Sequence, residues 1–231
     1  MQVFSEKYLK NKTRHFLNIA KKRHCVFPQI GMEEKETKPL LILDLDGTLV
    51  HFISRREKIE AHHEVAIEIP KEGVLCKRPY AVAFITEVAK WYDIGIWTAA
   101  TKDYADIAVS TLFPTPEKVR PVFVYSRNQC KSSHFSYGED GLWGSRNGVS
   151  MTIKPLGKVW KKYPKYKKYK TIIVDDTKET FIENPANAIY VKTWIGQADD
   201  SELMQLYSYL KRLALDSLTS MLDHHDWKNK K

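Results

Sequence analysis

Apolar and polar positions divide the chain into a regular series. Pro39-Leu40-Leu41-Ile42-Leu43 is an apolar run too short for a helix and closed by polar residues, which predicts a buried strand of a parallel sheet. Val65, Ile67 and Ile69 alternate with polar residues and predict a second strand. Pro70-Lys71-Glu72-Gly73 closes it, and a partner strand follows near residues 74–76. Arg78-Pro79 opens a helix with Val82, Phe84, Ile85, Val88, Ala89 and Trp91 as its apolar positions, the proline sitting in the first turn where its missing N–H is not needed. Strands are expected at 94–97, 122–125, 170–174 and 188–191, and a helix at 102–112. Leucines 203, 206, 210, 213 and 217 form a helical stripe, read as a packed terminal helix rather than a coiled coil. Strand–helix alternation over this length predicts an α/β fold with a central, mostly parallel sheet flanked by helices.

Two stretches break the rhythm. Residues 132–150 are rich in Gly and Ser, hold Tyr137 and Trp143, and read as a long loop or small hairpin. Residues 1–24 scatter apolar positions among cations as a moderate amphipathic helix would, and 25–38 read as a linker. The 231 residues therefore predict one domain plus a basic extension, residues 1–37. The globular part runs over 38–215, and 216–231 read as a helix end and tail.

Composition is ordinary for a globular chain, at 43% apolar and 28% charged residues. No apolar run approaches the ~18 residues of a membrane span, and the first residues lack the pattern of a signal peptide. Cys25, Cys76 and Cys130 form no C-x-x-C pair, which argues against a disulfide framework or zinc site and suits a reducing compartment. Gly31, Val82 and Ser136 stand where a thiol-phosphatase loop needs Arg, so that chemistry is excluded. An intracellular address, cytoplasmic or nuclear, is expected.

The net charge of +9 is concentrated. Residues 1–25 hold seven Lys/Arg against Glu6, and 152–170 hold eight lysines and no acid. The first patch reads as a surface arm, with peripheral membrane contact or a nuclear address as other readings. The second interleaves lysines with Trp160, Tyr163, Tyr166 and Tyr169. It reads as a solvated connection, then as a surface attracting an acidic phosphoprotein, and least as a nucleic-acid site. The pairs His62-His63 and His224-His225 read as surface.

The chemistry lies at strand ends. Leu41-Ile42-Leu43 delivers Asp44 and Asp46, followed by Gly47 and Thr48, and strand alternation would direct both carboxylates to one side. Ile172-Ile173-Val174 ends likewise in Asp175-Asp176. Ligands of open α/β sheets bind outside the carboxyl strand ends. Acids crowded there repel unless a cation neutralises them, and Mg²⁺ suits an all-oxygen donor set. Ile94-Gly95-Ile96-Trp97 ends in Thr98, and Lys154 stands between the third and fourth main strands.

The order Asp44-Leu-Asp46-Gly47-Thr48, then Trp97-Thr98, then Lys154, then Asp175-Asp176 resembles the motifs of the haloacid dehalogenase (HAD) superfamily. Lys77-Arg78-Pro79 and Asp199-Asp200-Ser201-Glu202 bring it close to the FCP/SCP-like branch of small C-terminal-domain phosphatases. The resemblance covers residues 39–214. It implies a Rossmann-like HAD fold with small β-hairpin and loop insertions in place of a large cap. It implies a protein phosphatase working through an aspartyl-phosphate on Asp44, with Asp46 as general acid and base. Thr98 and Lys154 would bind phosphoryl oxygens. Mg²⁺ would be held by Asp44, the Asp46 carbonyl and Asp176, with Asp175 behind them or paired with Lys154. Thr48 and Arg78 join the substrate-binding candidates, Arg78 equally as a structural pair, and Tyr137 and Trp143 would wall a cleft deep enough for phosphotyrosine.

Gly47 stands where the branch usually carries Glu, and Asp176 where its small members carry Asn. These departures leave catalysis credible and weaken any claim that the substrate is the polymerase tail; phosphoserine/threonine and phosphotyrosine both stay open. A Tim50-like non-catalytic phosphoprotein- or peptide-binding module and a small-molecule phosphatase are the alternative readings. The partner expected is a phosphorylated protein, and the chain is expected to be a monomer.

Overall fold

The computed structural model describes residues 37–57, 65–115, 117–135, 149–215 and 223–230. The N-terminal extension, Tyr137, Trp143 and His62-His63 lie outside them.

The central sheet is parallel throughout, in the order β10-β9-β1-β5-β6. Its strands are β1 (Leu40–Leu43), β5 (Asp93–Trp97), β6 (Phe123–Tyr125), β9 (Thr171–Asp175) and β10 (Ala188–Tyr190). β1 pairs on one side with β5 and on the other with β9, with Leu43 in register with Ile96 and Val174. All four β1 side chains are fully buried. The apolar run has no polar face because both faces of the sheet are covered. One face packs under Val88, Ala108, Leu206 and Leu210, the other under Trp97, Leu156, Val159 and Tyr166.

Between β1 and helix α1 (Ala81–Val88) lies a second sheet ordered β2-β4-β3, from Val50–Ser54, Val65–Ile69 and Gly73–Lys77. The sequence pattern predicts β3 and β4 but misses β2, whose short Val-His-Phe-Ile-Ser run follows the acidic turn directly. Helix α2 (Lys102–Leu112) matches its expected bounds, capped by the Thr101 side chain. Strands β7 (Lys131–Phe135) and β8 (Val149–Ile153) pair antiparallel, so the ends of the irregular 132–150 stretch are a ladder. Short helix α3 (Gly157–Lys162) leads toward β9, and α4 (Glu202–Leu215) carries the leucine stripe, with Leu203, Leu206, Leu210 and Leu213 buried. No helix among the described residues is long and apolar enough to cross a membrane.

Two sequence expectations change. Residues 223–230 pack onto the domain: His224 is 1% exposed with Nδ1 2.9 Å from the Tyr209 hydroxyl, and the Trp227 indole donates to the Tyr190 carbonyl. His224 is therefore a core residue, because the turn at 223–227 folds it under α4. In the lysine-rich run, Tyr166 is buried, Tyr163 stacks on Phe123 and Trp160 packs on the same cluster. These rings belong to the core and are not offered to bases. Lys165 and Tyr166 both reach Asp93, the first residue of β5, which places them at the amino edge of the sheet. The carboxyl edge holds the acids.

Candidate active site

The acids meet because parallel strands end together. Asp44 follows β1, and its N–H extends the ladder to the Val174 carbonyl at 3.0 Å. Asp175 ends β9 and Asp176 follows it. Single carboxylate oxygens of Asp44, Asp175 and Asp176 lie within 4.8 Å of one another. Lys154, just past β8, is 1% exposed, and its ammonium donates to Asp44 Oδ1 at 2.6 Å and Asp175 Oδ2 at 2.7 Å. Its backbone N–H is fixed by the Thr180 carbonyl at 2.6 Å.

Three carboxylates against one ammonium leave two negative charges uncompensated when all are ionised. The electrostatics agree. Burial pushes the Asp44 carboxyl well above the usual carboxylate range, Lys154 pulls it down, and Asp175 and Asp176 push it up again. Burial also raises Asp176, against hydrogen bonding from Thr193. Burial opposes the charge on Lys154, but Asp175 and Asp44 outweigh it and hold the amine protonated. Desolvated, oxygen-only and over-charged, this set fits a hard divalent cation.

Asp46 faces the same cavity as Asp44, with its carboxylate apart from the three-acid cluster. β1 ends at Leu43, and the chain turns so that the N–H groups of Thr48, Leu49 and Val50 all donate to the Leu45 carbonyl. The Asp46 carboxylate thereby leaves the three-acid cluster and accepts a hydrogen bond from the Tyr104 hydroxyl in the first turn of α2. Burial raises its carboxyl, and the Tyr104 bond holds it lower. Tyr104 is the polar contact that the sequence reading missed. Its position in the helix after the Thr98 strand is the signal that marks it.

A cavity of about 340 Å³ joins these groups. Asp44, Asp46, Thr98, Lys154, Asp175 and Asp176 line it, with His51, Thr180, Thr193 and Trp194. Thr98 is 1% exposed, and its hydroxyl accepts the Ala100 N–H at 3.0 Å. Gly47 closes the floor at φ +71°, where a Cβ would stand 2.3 Å from Asp176 Oδ2. The backbone angle strains any L side chain, and a Cβ there would have to displace the Asp176 carboxylate.

Two substrate-binding candidates do not reach this cavity. Thr48 is fully buried by the turn, and its hydroxyl has no hydrogen-bond partner among the described residues. Arg78 is also fully buried and commits its guanidinium elsewhere. Nε and Nη2 clamp Asp200 at 2.8 Å each, Nη1 reaches the Gly47 and Thr48 carbonyls, and Nη2 reaches that of Lys192. It ties the acidic turn to the approach of α4 and has no donor left for substrate.

Comparison with known proteins places this geometry. Residues 39–221 match the family described as NLI interacting factor-like phosphatase. Ubiquitin-like domain-containing CTD phosphatase 1 of Xenopus tropicalis is 29% identical over 226 residues, covering 95% of this chain and 63% of that protein. Nuclear envelope morphology protein 1 of Saccharomyces cerevisiae is 31% identical over 194 residues, covering 77% of this chain and 40% of that protein. The chain thus spans less than two thirds of the length of these relatives. The structure of Fcp1, an essential RNA polymerase II CTD phosphatase, superposes with a TM-score of 0.55 at 18% identity, covering 80% of this chain and 64% of that one, a likeness of fold.

Proposed function

The chain belongs to the NLI interacting factor-like phosphatase family, and on that premise we propose that it hydrolyses phosphomonoesters on protein side chains through an aspartyl-phosphate on Asp44. The observation that carries this is the pairing of Asp44 with buried Lys154 at 2.6 Å, beside an Asp46 held separately by Tyr104. Two carboxylates of different surroundings divide the work. The Asp44 carboxylate attacks phosphorus as the P–O bond to the side-chain oxygen breaks, and Asp46 gives that oxygen its proton. Asp46, now ionised, takes a proton from water, which attacks the same phosphorus and frees Asp44 and inorganic phosphate. A raised Asp46 pKa suits the first half, since a general acid must be protonated near working pH. Lys154 and Thr98 hold the phosphoryl oxygens. Uncatalysed monoester hydrolysis is so slow that positioning and charge neutralisation must supply most of the rate.

Asp44, Asp176 and the Asp46 carbonyl would hold Mg²⁺, with Asp175 restrained behind them by Lys154; bound there, the ion would offset charge on the phosphoryl group. The substrate is a phosphorylated protein of the kind the relatives' names indicate, met in the cytoplasm or nucleus.

The test is turnover of an aryl phosphate and of phospho-Ser, phospho-Thr and phospho-Tyr peptides, with Mg²⁺ or EDTA, for wild type and Asp44→Asn. Metal-dependent release of phosphate that Asp44→Asn abolishes is expected. Peptide binding without turnover would identify a non-catalytic binding module instead.

A further inference from the structure

A second cavity, of about 510 Å³, runs along the outer edge of β10. Phe181, Ala188 and Trp227 give it an apolar lining, and Lys178, Lys192 and Lys228 stand around it. The acids on it are Glu202 and Asp226. Glu202 is already engaged, by the Lys228 ammonium at 2.5 Å and the Lys192 N–H at 3.0 Å. The Lys228–Glu202 pair cancels, and Lys178 and Lys192 against Asp226 leave the groove net cationic.

The groove's lining adjoins that of the catalytic cavity along the chain, with Lys178 after Thr177 and Phe181 after Thr180. Tyr190 is in register with Asp175 across the β10–β9 ladder. Lys178 follows Asp176 by two residues and lies 4.7 Å over the Tyr190 ring. Lys192 precedes Thr193, which lines the catalytic cavity.

We propose that this groove binds the segment of phosphoprotein flanking the scissile residue. It selects an apolar or aromatic side chain accompanied by a carboxylate or second phosphate. The inference rests on the phosphatase reading and deepens it. Apolar walls take the ring or aliphatic chain, while Lys178 and Lys192 meet the negative charge and favour the encounter. Lys165 does not line this groove; it is tied to Asp93 at the amino edge of the sheet.

The experiment compares kcat/KM for an aryl phosphate with that for two phosphopeptides, one flanked by Phe and Asp and one by Gly and Lys. Both are run on wild type and on K178E/K192E. The Phe/Asp peptide is expected to exceed the Gly/Lys peptide by about tenfold on wild type, through KM, as charge pairing at a partly exposed rim allows. In the double variant the preference collapses while aryl-phosphate turnover holds. Equal rates for the two peptides on wild type, whatever the variant does, would overturn the proposal. So would a dimer dissolved by K178E/K192E, since the groove would then hold a second copy. If nothing is turned over, the phosphatase reading fails separately. Fluorescence polarisation of the same peptides then decides the groove: equal affinity for wild type and K178E/K192E overturns it.

Discussion

Asp46 and Tyr104 give the residue scale its sharpest consequence. The phenol's hydrogen bond favours the ionised carboxylate and so restrains a pKa that burial raises. Tyr104→Phe removes that restraint, and the Asp46 carboxyl rises further. If Asp46 is the acid, the alkaline limb of the kcat profile moves to higher pH in Tyr104→Phe while kcat falls by about tenfold or more, within the range of general acid–base catalysis. An unmoved limb would assign the proton to another group. Gly47 makes a steric prediction. Gly47→Ala places a methyl against Asp176 at a backbone angle that L-residues avoid. Mg²⁺ affinity measured by titration should fall at least about tenfold, as for disturbed outer partners of a metal site. Unchanged affinity would remove Asp176 from the ligand set.

Elements are coupled through Arg78, which joins the turn after β1 to the approach of α4. Asp200→Asn leaves a buried guanidinium without its countercharge. Chemical denaturation should show a loss of about 3–5 kcal/mol, the cost of breaking a buried pair from one side. The sign in pH follows from Asp200, whose carboxyl Arg78 holds below the usual range against burial. Its stabilisation is complete above the ordinary carboxylate pKa and is lost as pH falls through the depressed value. Asp200→Asn should therefore flatten that acid limb. The strand ends that build the site were legible in the sequence, because apolar runs stopping at acids define both strand and site. Arg78 was legible only as one of two equal readings, since its five hydrogen bonds to three distant segments leave no local pattern to decide between substrate and structure. Thr48 misled for a local reason: the carbonyl of Leu45 gathers the N–H groups of Thr48, Leu49 and Val50 in a tight turn that buries the side chain. β2, as long as β3 and β4, was hidden because its Val-His-Phe-Ile-Ser run follows the acidic turn directly.

For the whole molecule, charge divides by edge. The carboxyl edge gathers desolvated acids and Lys154, while Lys165, bound to Asp93, and Lys170, just before β9, lie toward the amino edge. Burial raises the Asp44, Asp46 and Asp176 carboxyls. In these groups the folded state binds protons more tightly than the unfolded one. The metal-free domain should therefore gain stability as pH falls from neutrality through the raised values. Mg²⁺ competes with those protons, so its stabilising shift in Tm should be larger at pH 7.5 than at pH 5. Equal shifts would place the ion elsewhere.

Phosphorylation of Asp44 is the step on which the proposed mechanism turns, and Asp46→Asn isolates it. With 4-nitrophenyl phosphate the leaving group needs little protonation, so the variant should still transfer phosphate to Asp44 but fail to activate water. A rapid mix should give a stoichiometric burst of nitrophenol followed by slow turnover. Mass spectrometry of the quenched enzyme should find the phosphate on Asp44. A linear trace without burst at the wild-type steady rate, or phosphate on another residue, would contradict the account.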